Sequence, residues 1–395
     1  MSAFGCWMEM VRLTKILTLL KNSFSNSSCT RCRPTNPVAP NTTAVFRCIC
    51  CYFALLIMQI QQNISLRQYN TVGIDVLARH FARFNSVEEL GDILSNNPNM
   101  RQTPLVLGGG SNILFTDHVN RLVLKNEIRG IETIREDAEH VYIRAGAGEN
   151  WHQFVLYCLQ HNLAGVENLS LIPGCVGASP MQNIGAYGVE IKEVFEELEA
   201  FHLHEKKTYT FSNNDCEFGY RESVFKGRYK DQFVILNVTY RLNKTPHFNT
   251  SYGAIEQELE KMGVKELSIQ AISQAVINIR SSKLPDPTKI GNAGSFFKNP
   301  SVPVWRYNEL KGKYPHIVGY PNADGTVKLA AGWLIEQAGW KGVRRGDAGV
   351  HEKQALVLVN YGSATGKEIF ELSEEVMKDV EEQFGVRLER EVNVV

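Results

Sequence analysis

No apolar run in the 395-residue sequence is long enough to span a bilayer. The run at residues 48–58 holds 11 consecutive apolar side chains, against the roughly 20 that a membrane helix needs. It also lies too far from the amino terminus, with no small-residue cleavage site, to act as a secretory signal. Cysteine is scarce beyond this point. Six of the nine precede Met58, leaving Cys158, Cys175 and Cys216 for the body of the chain. Three scattered thiols exclude a disulfide framework and fit a reducing compartment. Cys29-Thr-Arg-Cys32 has CxxC spacing, but no second CxxC or His pair follows, and Cys48-Ile-Cys50-Cys51 has no zinc-site spacing, so no metal site is expected. Net charge is absent too, formally zero at pH 7. Residues 1–57 carry six basic side chains and one acid, which leaves 36 basic and 41 acidic residues in 58–395. A mildly acidic body without a basic stripe argues against nucleic acid as a partner.

The first 57 residues are basic, acid-poor and rich in Ser, Asn and Thr. That composition has something of a transit peptide, but helical periodicity is confined to a short piece near residues 11–20. The character of the chain changes at Met58. The expectation is that Met58 is the true start, with 1–57 a leader that is not native or is disordered.

What the body has in quantity is glycine, arranged in three loops. The longest spans residues 172–188 and reads Ile-Pro-Gly-Cys-Val-Gly-Ala-Ser-Pro-Met-Gln-Asn-Ile-Gly-Ala-Tyr-Gly. Four glycines and two prolines exclude a long helix, while Ile172, Val176, Met181, Ile184 and Tyr187 are too apolar for a solvated linker. Either it is a Gly-rich turn between strands, or it is an ordered loop whose freed N–H groups cradle phosphate. The second loop, Gly108-Gly-Gly-Ser-Asn112, follows the apolar run 104–107 and has the look of a strand feeding a phosphate cradle. It is not a P-loop, since no Gly-Lys-Ser/Thr follows. Nor is it a Rossmann fingerprint, since Ile113 takes the third glycine position. The third is Ala145-Gly-Ala-Gly148.

Around these loops the pattern is mixed. Ser86-Val-Glu-Glu89 predicts a capping box opening a helix to about Ser95, and Asn150 predicts a cap for a helix over residues 151–161. Strands are predicted at 104–108, 113–115, 121–125, 141–144, 194–203, 208–211 and 233–242. Beyond His247 the chain turns to longer helices: one ending near Met262, one from Ser268 to about Ser281, one over 328–338. The longest is capped by Thr365 and stopped by Gly385. A strand is predicted at 354–360. The terminal residues 386–394 alternate, which predicts a strand with Val386, Leu388, Val392 and Val394 on one face and Glu389 with Glu391 on the other. Two acids on one strand face ordinarily meet solvent. Arg221 sits among Phe218, Tyr220 and Phe225, where an ion-pair role is the commoner reading and carboxylate or phosphate binding the sharper one. Ser295 follows Gly294 in Gly291-Asn-Ala-Gly-Ser-Phe-Phe-Lys-Asn-Pro300. It can be a simple turn residue or face a ligand; no Gly-x-Ser-x-Gly elbow marks a serine hydrolase.

Taken together, these motifs resemble the UDP-N-acetylenolpyruvoylglucosamine reductases, also called UDP-N-acetylmuramate dehydrogenases. The resemblance is carried by Thr71-Val-Gly-Ile-Asp75, Leu107-Gly-Gly-Gly-Ser-Asn112, Ala145-Gly-Ala-Gly-Glu-Asn-Trp151, residues 172–188 and Phe218-Gly-Tyr-Arg221. Further matches are Lys283-Leu-Pro-Asp-Pro287, residues 291–300 and Leu388-Glu-Arg-Glu-Val392, so that it covers essentially all of 58–395 in order. Val72 departs from the usual Phe.

The resemblance implies an α+β protein. A two-lobed FAD-binding domain of the vanillyl-alcohol-oxidase type would occupy 58–245, and a smaller α+β substrate-binding domain 246–395, whose last strand reaches the active site. It implies non-covalent FAD, NADPH as co-substrate and the subtype with a tyrosine-bearing loop over the substrate. In peptidoglycan precursor synthesis, hydride from FAD N5 would reach C3 of UDP-N-acetylglucosamine enolpyruvate, with a proton to C2, giving UDP-N-acetylmuramate. By motif position Arg221 stabilises the enolate, Glu391 is its partner acid and Ser295 donates the proton. FAD would be held by Gly108, Gly109, Gly110, Ser111 and Asn112 in one loop. In the other it would be held by Gly174, Gly177, Ala178, Ser179, Pro180, Gln182, Asn183, Gly185, Ala186, Tyr187 and Gly188. Tyr252, Lys283, Asn299 and Gln354 resemble the substrate contacts. A cytoplasmic monomer acting on this small molecule is expected, with no nucleic acid, membrane or metal. Two alternatives remain: a flavin oxidase of the same superfamily, which often attaches FAD to a His or Cys, and a nucleotide-sugar binding module that has lost activity.

Overall fold

Apolar residues at 77–84 and 119–126 set the centre of the first sheet. Strands Leu77–Phe84 and Val119–Asn126 lie parallel there, with Gln61–Ser65 antiparallel on one edge and Leu105–Leu107 parallel on the other. This is a computed structural model, and it describes residues 60–96 and 102–395. The expectations for the leader and for Met58 lie outside the described residues. Helix Val87–Ser95 packs Leu90 and Ile93 inward. Its cap is only half of the expected box: Ser86 accepts from the Glu89 amide, but the Glu89 carboxylate reaches back to the Asn85 amide, at 2.7 Å.

The second sheet is antiparallel throughout, in the order Lys207–Ser212, Phe195–His202, Phe233–Asn243, His140–Gly146, Ile131–Glu136. Helix Trp151–Gln160 covers it, capped as predicted by Asn150, whose side chain accepts from the Gln153 amide. Trp151, Phe154 and Tyr240 meet at ring-centroid distances of 4.7–5.9 Å beneath it. Both sheets feed Gly-rich turns: Leu105–Leu107 leads into 108–112, and His140–Gly146 leads into Ala147 and Gly148.

After residue 246, helices Gly253–Lys261 and Ile269–Lys283 pack together through Ile255, Leu259, Ile272 and Val276. Ser268 caps the second, accepting from the Ala271 amide. Two small antiparallel sheets follow. Gly291–Ser295 pairs with Val357–Asn360 in one, and Thr326–Leu329 lies between Ser301–Pro303 and Gly319–Pro321 in the other. That second sheet corrects the sequence reading: the helix predicted over 328–338 begins only at Ala331. Val327 pairs with both Val302 and Pro321, and these non-local pairings override the local helical pattern. Helix Gly366–Phe384 has the full Thr365–Glu368 capping box and stops at Gly385 with φ +61°.

The carboxyl-terminal segment departs from its pattern in a way that matters for the site. Only Asn393–Val394 pairs as strand, parallel to Ile113–Leu114. Upstream, the Glu391 amide donates to the Phe296 carbonyl and the Lys298 amide to the Glu389 carbonyl. Val386, Leu388 and Val392 are buried as predicted, whereas Val394 is 40 % exposed. The two acids also separate: the Glu389 side chain is 71 % exposed and that of Glu391 only 12 %. An irregular segment docked on residues 296–298 need not keep a strict two-residue alternation. The largest core cluster joins first-sheet residues such as Phe81, Leu107 and Val123 to Phe296, Leu358, Val376 and Leu388, and it fixes the carboxyl-terminal segment beside the 108–112 turn. No helix among the described residues is long and apolar enough to cross a membrane.

Candidate active site

The 108–112 turn presents its backbone. Gly110 has φ +64°, and a Cβ there would lie 1.9 Å from the Tyr69 carbonyl oxygen, so only glycine fits. Among the described residues, the amides of Gly109, Gly110 and Ser111 donate to no protein group. Three such donors in succession form a concave anion cradle. Lys125 Nζ donates to the Gly108 carbonyl at 2.8 Å, and Ser111 Oγ donates to the Pro173 carbonyl at 3.1 Å, which ties this turn to the 172–188 loop. Arg280, half-buried, donates to the Leu171 carbonyl at 3.2 Å, just before that loop, and bonds the Tyr187 hydroxyl near the loop's end. No carboxylate pairs with it among the described residues. Free amides in the turn tied to this loop, and an unneutralised cation bonded at the loop's ends, suit a diphosphate-bearing cofactor such as FAD.

The 172–188 loop also works inward. Ser179 and Asn183, expected among the cofactor contacts, turn their side chains away from that cradle. Ser179 Oγ lies 2.7 Å from the buried Tyr240 hydroxyl, while Asn183 Nδ2 donates to the Gly219 carbonyl at 2.9 Å and its Oδ1 accepts the Lys192 amide. Cys175 is a buried thiol whose pKa is pushed up by burial, which suits packing rather than nucleophilic attachment of a flavin.

Arg221 comes from the turn that Asn183 fastens. Its guanidinium donates to the Gly185 carbonyl at 2.6 Å, and its Nε lies 3.2 Å from Glu391 Oε1. Both side chains are mostly buried, 18 % and 12 % exposed. Gln182 Nε2 donates to the same Glu391 oxygen at 3.2 Å, and Asn112 Nδ2 donates to Gln182 Oε1 at 2.6 Å. One chain of polar contacts therefore runs from the first glycine turn through the second loop to the acid and the arginine. Burial raises the Glu391 pKa above the usual carboxylate range, and Arg221, Lys226 and Lys298 pull it back. Lys298 is itself held by Glu222 and Glu389, at 2.5 and 2.6 Å.

Backbone strain gathers here as well. Five of the nine described non-glycine residues with positive φ are Leu171, Asn183, Tyr187, Glu217 and Arg221. Such residues persist only where their surroundings over-determine them, most often at functional sites.

Ser295 enters at the end of strand Gly291–Ser295, just after Gly294 at φ +69°. The next residue, Phe296, supplies the carbonyl that binds the Glu391 amide. Tyr252 is 46 % exposed and meets Tyr187 edge to face, 5.3 Å between centroids. The other expected substrate contacts are more scattered. Lys283 is the exposed last residue of its helix. Asn299 Oδ1 accepts the Ala331 amide at 3.0 Å, and Gln354 Oε1 accepts the Leu356 amide at 3.4 Å, so both already serve local structure. Sequence reasoning missed Gln182 as a Glu391 partner, and it gave no role to Tyr220, whose ring centroid lies 5.3 Å from the Arg221 guanidinium and 4.7 Å from the Lys328 ammonium. The Phe218-Gly-Tyr-Arg221 motif itself was the available signal for Tyr220; nothing local announced Gln182.

A glycine-built anion cradle joined to a buried acid–arginine pair fits an FAD-dependent oxidoreductase, and a family described as FAD binding domain matches residues 78–202. Residues 286–395 match the family described as UDP-N-acetylenolpyruvoylglucosamine reductase, C-terminal domain. The chain is 51 % identical over 339 residues to the UDP-N-acetylenolpyruvoylglucosamine reductase of Flavobacterium johnsoniae, covering 86 % of this chain and 100 % of that protein. It is 50 % identical to the enzyme of that name from Amoebophilus asiaticus, over 86 % and 100 % of the two chains. In fold it is similar to the reductase of Thermus caldophilus, with TM-score 0.59, 24 % identity, and coverage of 85 % and 98 %. The chain belongs to the UDP-N-acetylenolpyruvoylglucosamine reductase family.

Proposed function

We propose that Arg221, Glu391 and Ser295 handle charge and proton in the reaction of this family. That reaction is the reduction of UDP-N-acetylglucosamine enolpyruvate in peptidoglycan precursor synthesis, carried out by this chain as an FAD-containing oxidoreductase. FAD, when bound and reduced by NADPH, supplies the hydride that adds to C3 of the enol ether. Electron density then accumulates at C2 and spreads into the adjacent carboxylate. Arg221 faces that carboxylate with a fixed cation, which is worth most in a site from which water is largely excluded. Glu391, with its pKa raised by burial, carries or shares a proton at the same place. Ser295 gives its hydroxyl proton to C2: the C2 electron pair forms the C–H bond, Oγ keeps the O–H pair, and solvent later returns a proton to Oγ. A Ser is a weak acid, so this step depends on positioning and on a strongly basic carbon.

The observation that carries this reading is the Arg221–Glu391 pair, 3.2 Å apart and mostly buried, reached from both Gly-rich loops through Asn112 and Gln182. Tyr252 is proposed to close over the substrate, supported by its exposure and its edge contact with Tyr187. Lys283, Asn299 and Gln354 are proposed as diphosphate and uridine contacts on family position alone. FAD is proposed to be non-covalent, supported by the buried, unactivated Cys175. The division into an FAD domain at 58–245 and a substrate domain at 246–395 is supported by family matches that fall on either side of residue 245.

Glu391→Gln keeps the shape and the Gln182 contact but cannot carry the acid's proton or charge. Steady-state turnover is expected to drop about 10²-fold. Unchanged turnover would remove Glu391 from the mechanism.

A further inference from the structure

We propose that Lys226 is a positioning residue for this reaction: its ammonium holds the Arg221 carbonyl, and so the aim of the guanidinium, and adds positive charge beside Glu391. The inference rests on the roles given to Arg221 and Glu391 above. Arg221 has φ +56°, a left-handed conformation that a residue with a side chain holds only where its surroundings fix it. Its turn is closed by the Gly219 and Glu222 amide–carbonyl pair at 3.1 and 3.3 Å and fastened to the 172–188 loop by Ser223 Oγ donating to the Met181 carbonyl at 2.7 Å. The Arg221 carbonyl itself points to Lys226 Nζ, at 3.3 Å. No other side chain among the described residues donates to it.

Charge balance separates the two lysines of the site. Lys298 has two close carboxylates, Glu222 and Glu389. Among the described residues Lys226 has only Glu222, at 4.0 Å, and shares it with Lys298. Its ammonium is therefore the less neutralised one, in a side chain 17 % exposed. Burial and the charge of Lys298 lower the Lys226 pKa, while Glu222, Glu391 and Glu389 oppose that. The charged groups facing Glu391 are Arg221, Lys226 and Lys298, with the amide of Gln182 beside them. Lys226 also lines a cavity of about 170 Å³ with Met181, Phe225 and Tyr229. A different side chain at 226 thus has room to relax.

The test uses flavin-loaded full-length enzyme and follows its two half-reactions separately by stopped-flow absorbance across pH. In Lys226→Met, bleaching by NADPH is expected to stay within about twofold, and reoxidation by the enolpyruvyl substrate to slow about tenfold as the guanidinium loses its aim. Removing a neighbouring cation raises a carboxyl pKa. The Glu391 limb of the reoxidation profile is therefore expected to move to higher pH, and Lys226→Arg to restore both rate and profile. An unmoved profile would overturn the proposal, as would equal loss of both half-reactions accompanied by a lower Tm. Should Lys226→Met not fold, Lys226→Gln carries the test, since it can still donate to the carbonyl but has no charge. Its profile must shift with a smaller loss of rate, and an unshifted one overturns the proposal. Arg221→Met serves as the control. If that variant reoxidises normally, the reading of the site fails; if it is impaired while Lys226→Met is not, only the Lys226 assignment fails.

Discussion

Ser295→Ala is expected to leave bleaching of the flavin by NADPH at its normal rate while product formation falls by about 10²–10⁴-fold, the usual contribution of a positioned proton donor. Ser295 ends a strand whose partner is Val357, and Gly294 gives the turn that sets its direction. Its neighbour Phe296 is bonded through its carbonyl to the Glu391 amide, so the hydroxyl belongs to the same small frame as the acid. Removing one oxygen from a half-buried position disturbs neither the Phe296 and Phe297 packing nor the glycine loops. Binding and reduction of the cofactor should therefore survive. Rapid-mixing absorbance separates the two steps. Equal losses in both half-reactions would show that Ser295 acts through structure and does not give the proton.

Arg221→Met should cost about 10²–10³-fold in reoxidation by substrate, or roughly 3–4 kcal/mol, the range found when one fixed charge-stabilising donor is removed from a dry site. Methionine keeps much of the side-chain volume but none of the five donors. The loss also strands Glu391: burial already raises its pKa, and Arg221 is the strongest of the groups opposing that shift. Without Arg221 the carboxyl pKa rises further, so the variant should hold its proton to higher pH than the wild type, and the reoxidation profile should shift in the alkaline direction. A rate within threefold of wild type, with an unmoved profile, would remove Arg221 from charge stabilisation.

Much of the secondary structure follows from local chemistry. Asn150 and Thr365 cap the helices they were predicted to cap, and Ser268 caps the helix predicted to start there, because an N-cap is a contact over three residues, visible in sequence. Residues 328 and 329 were misread because their strand character comes from pairing with Ser301, Gly319 and Tyr320, partners that no local window contains. The site divides in the same way. The glycine turns announce themselves, since Gly110 has no substitute beside the Tyr69 carbonyl. Glu391 does not: strict alternation pairs it with Glu389 on a solvent face, and only docking on residues 296–298 turns one acid in and leaves the other out. Arg221 and Glu391 were identified through family resemblance, not through their own surroundings. Gln182 meets Glu391 across 209 residues, and Lys226 meets the Arg221 carbonyl in a strained turn; neither contact has a sequence signature.

The 172–188 loop, expected to hold the cofactor, also builds the rest of the site. Through Gln182 it fixes the acid, through the Asn183 and Gly185 carbonyls it receives the guanidinium, and through Met181 it anchors the turn behind Arg221. The most direct test of this account is the visible spectrum of the purified protein under anaerobic conditions. A flavin band should be present, bleach on addition of NADPH and recover when UDP-N-acetylglucosamine enolpyruvate is added, with the flavin released by acid precipitation. A protein without flavin, or one whose bleached spectrum recovers only when oxygen is admitted, would contradict it.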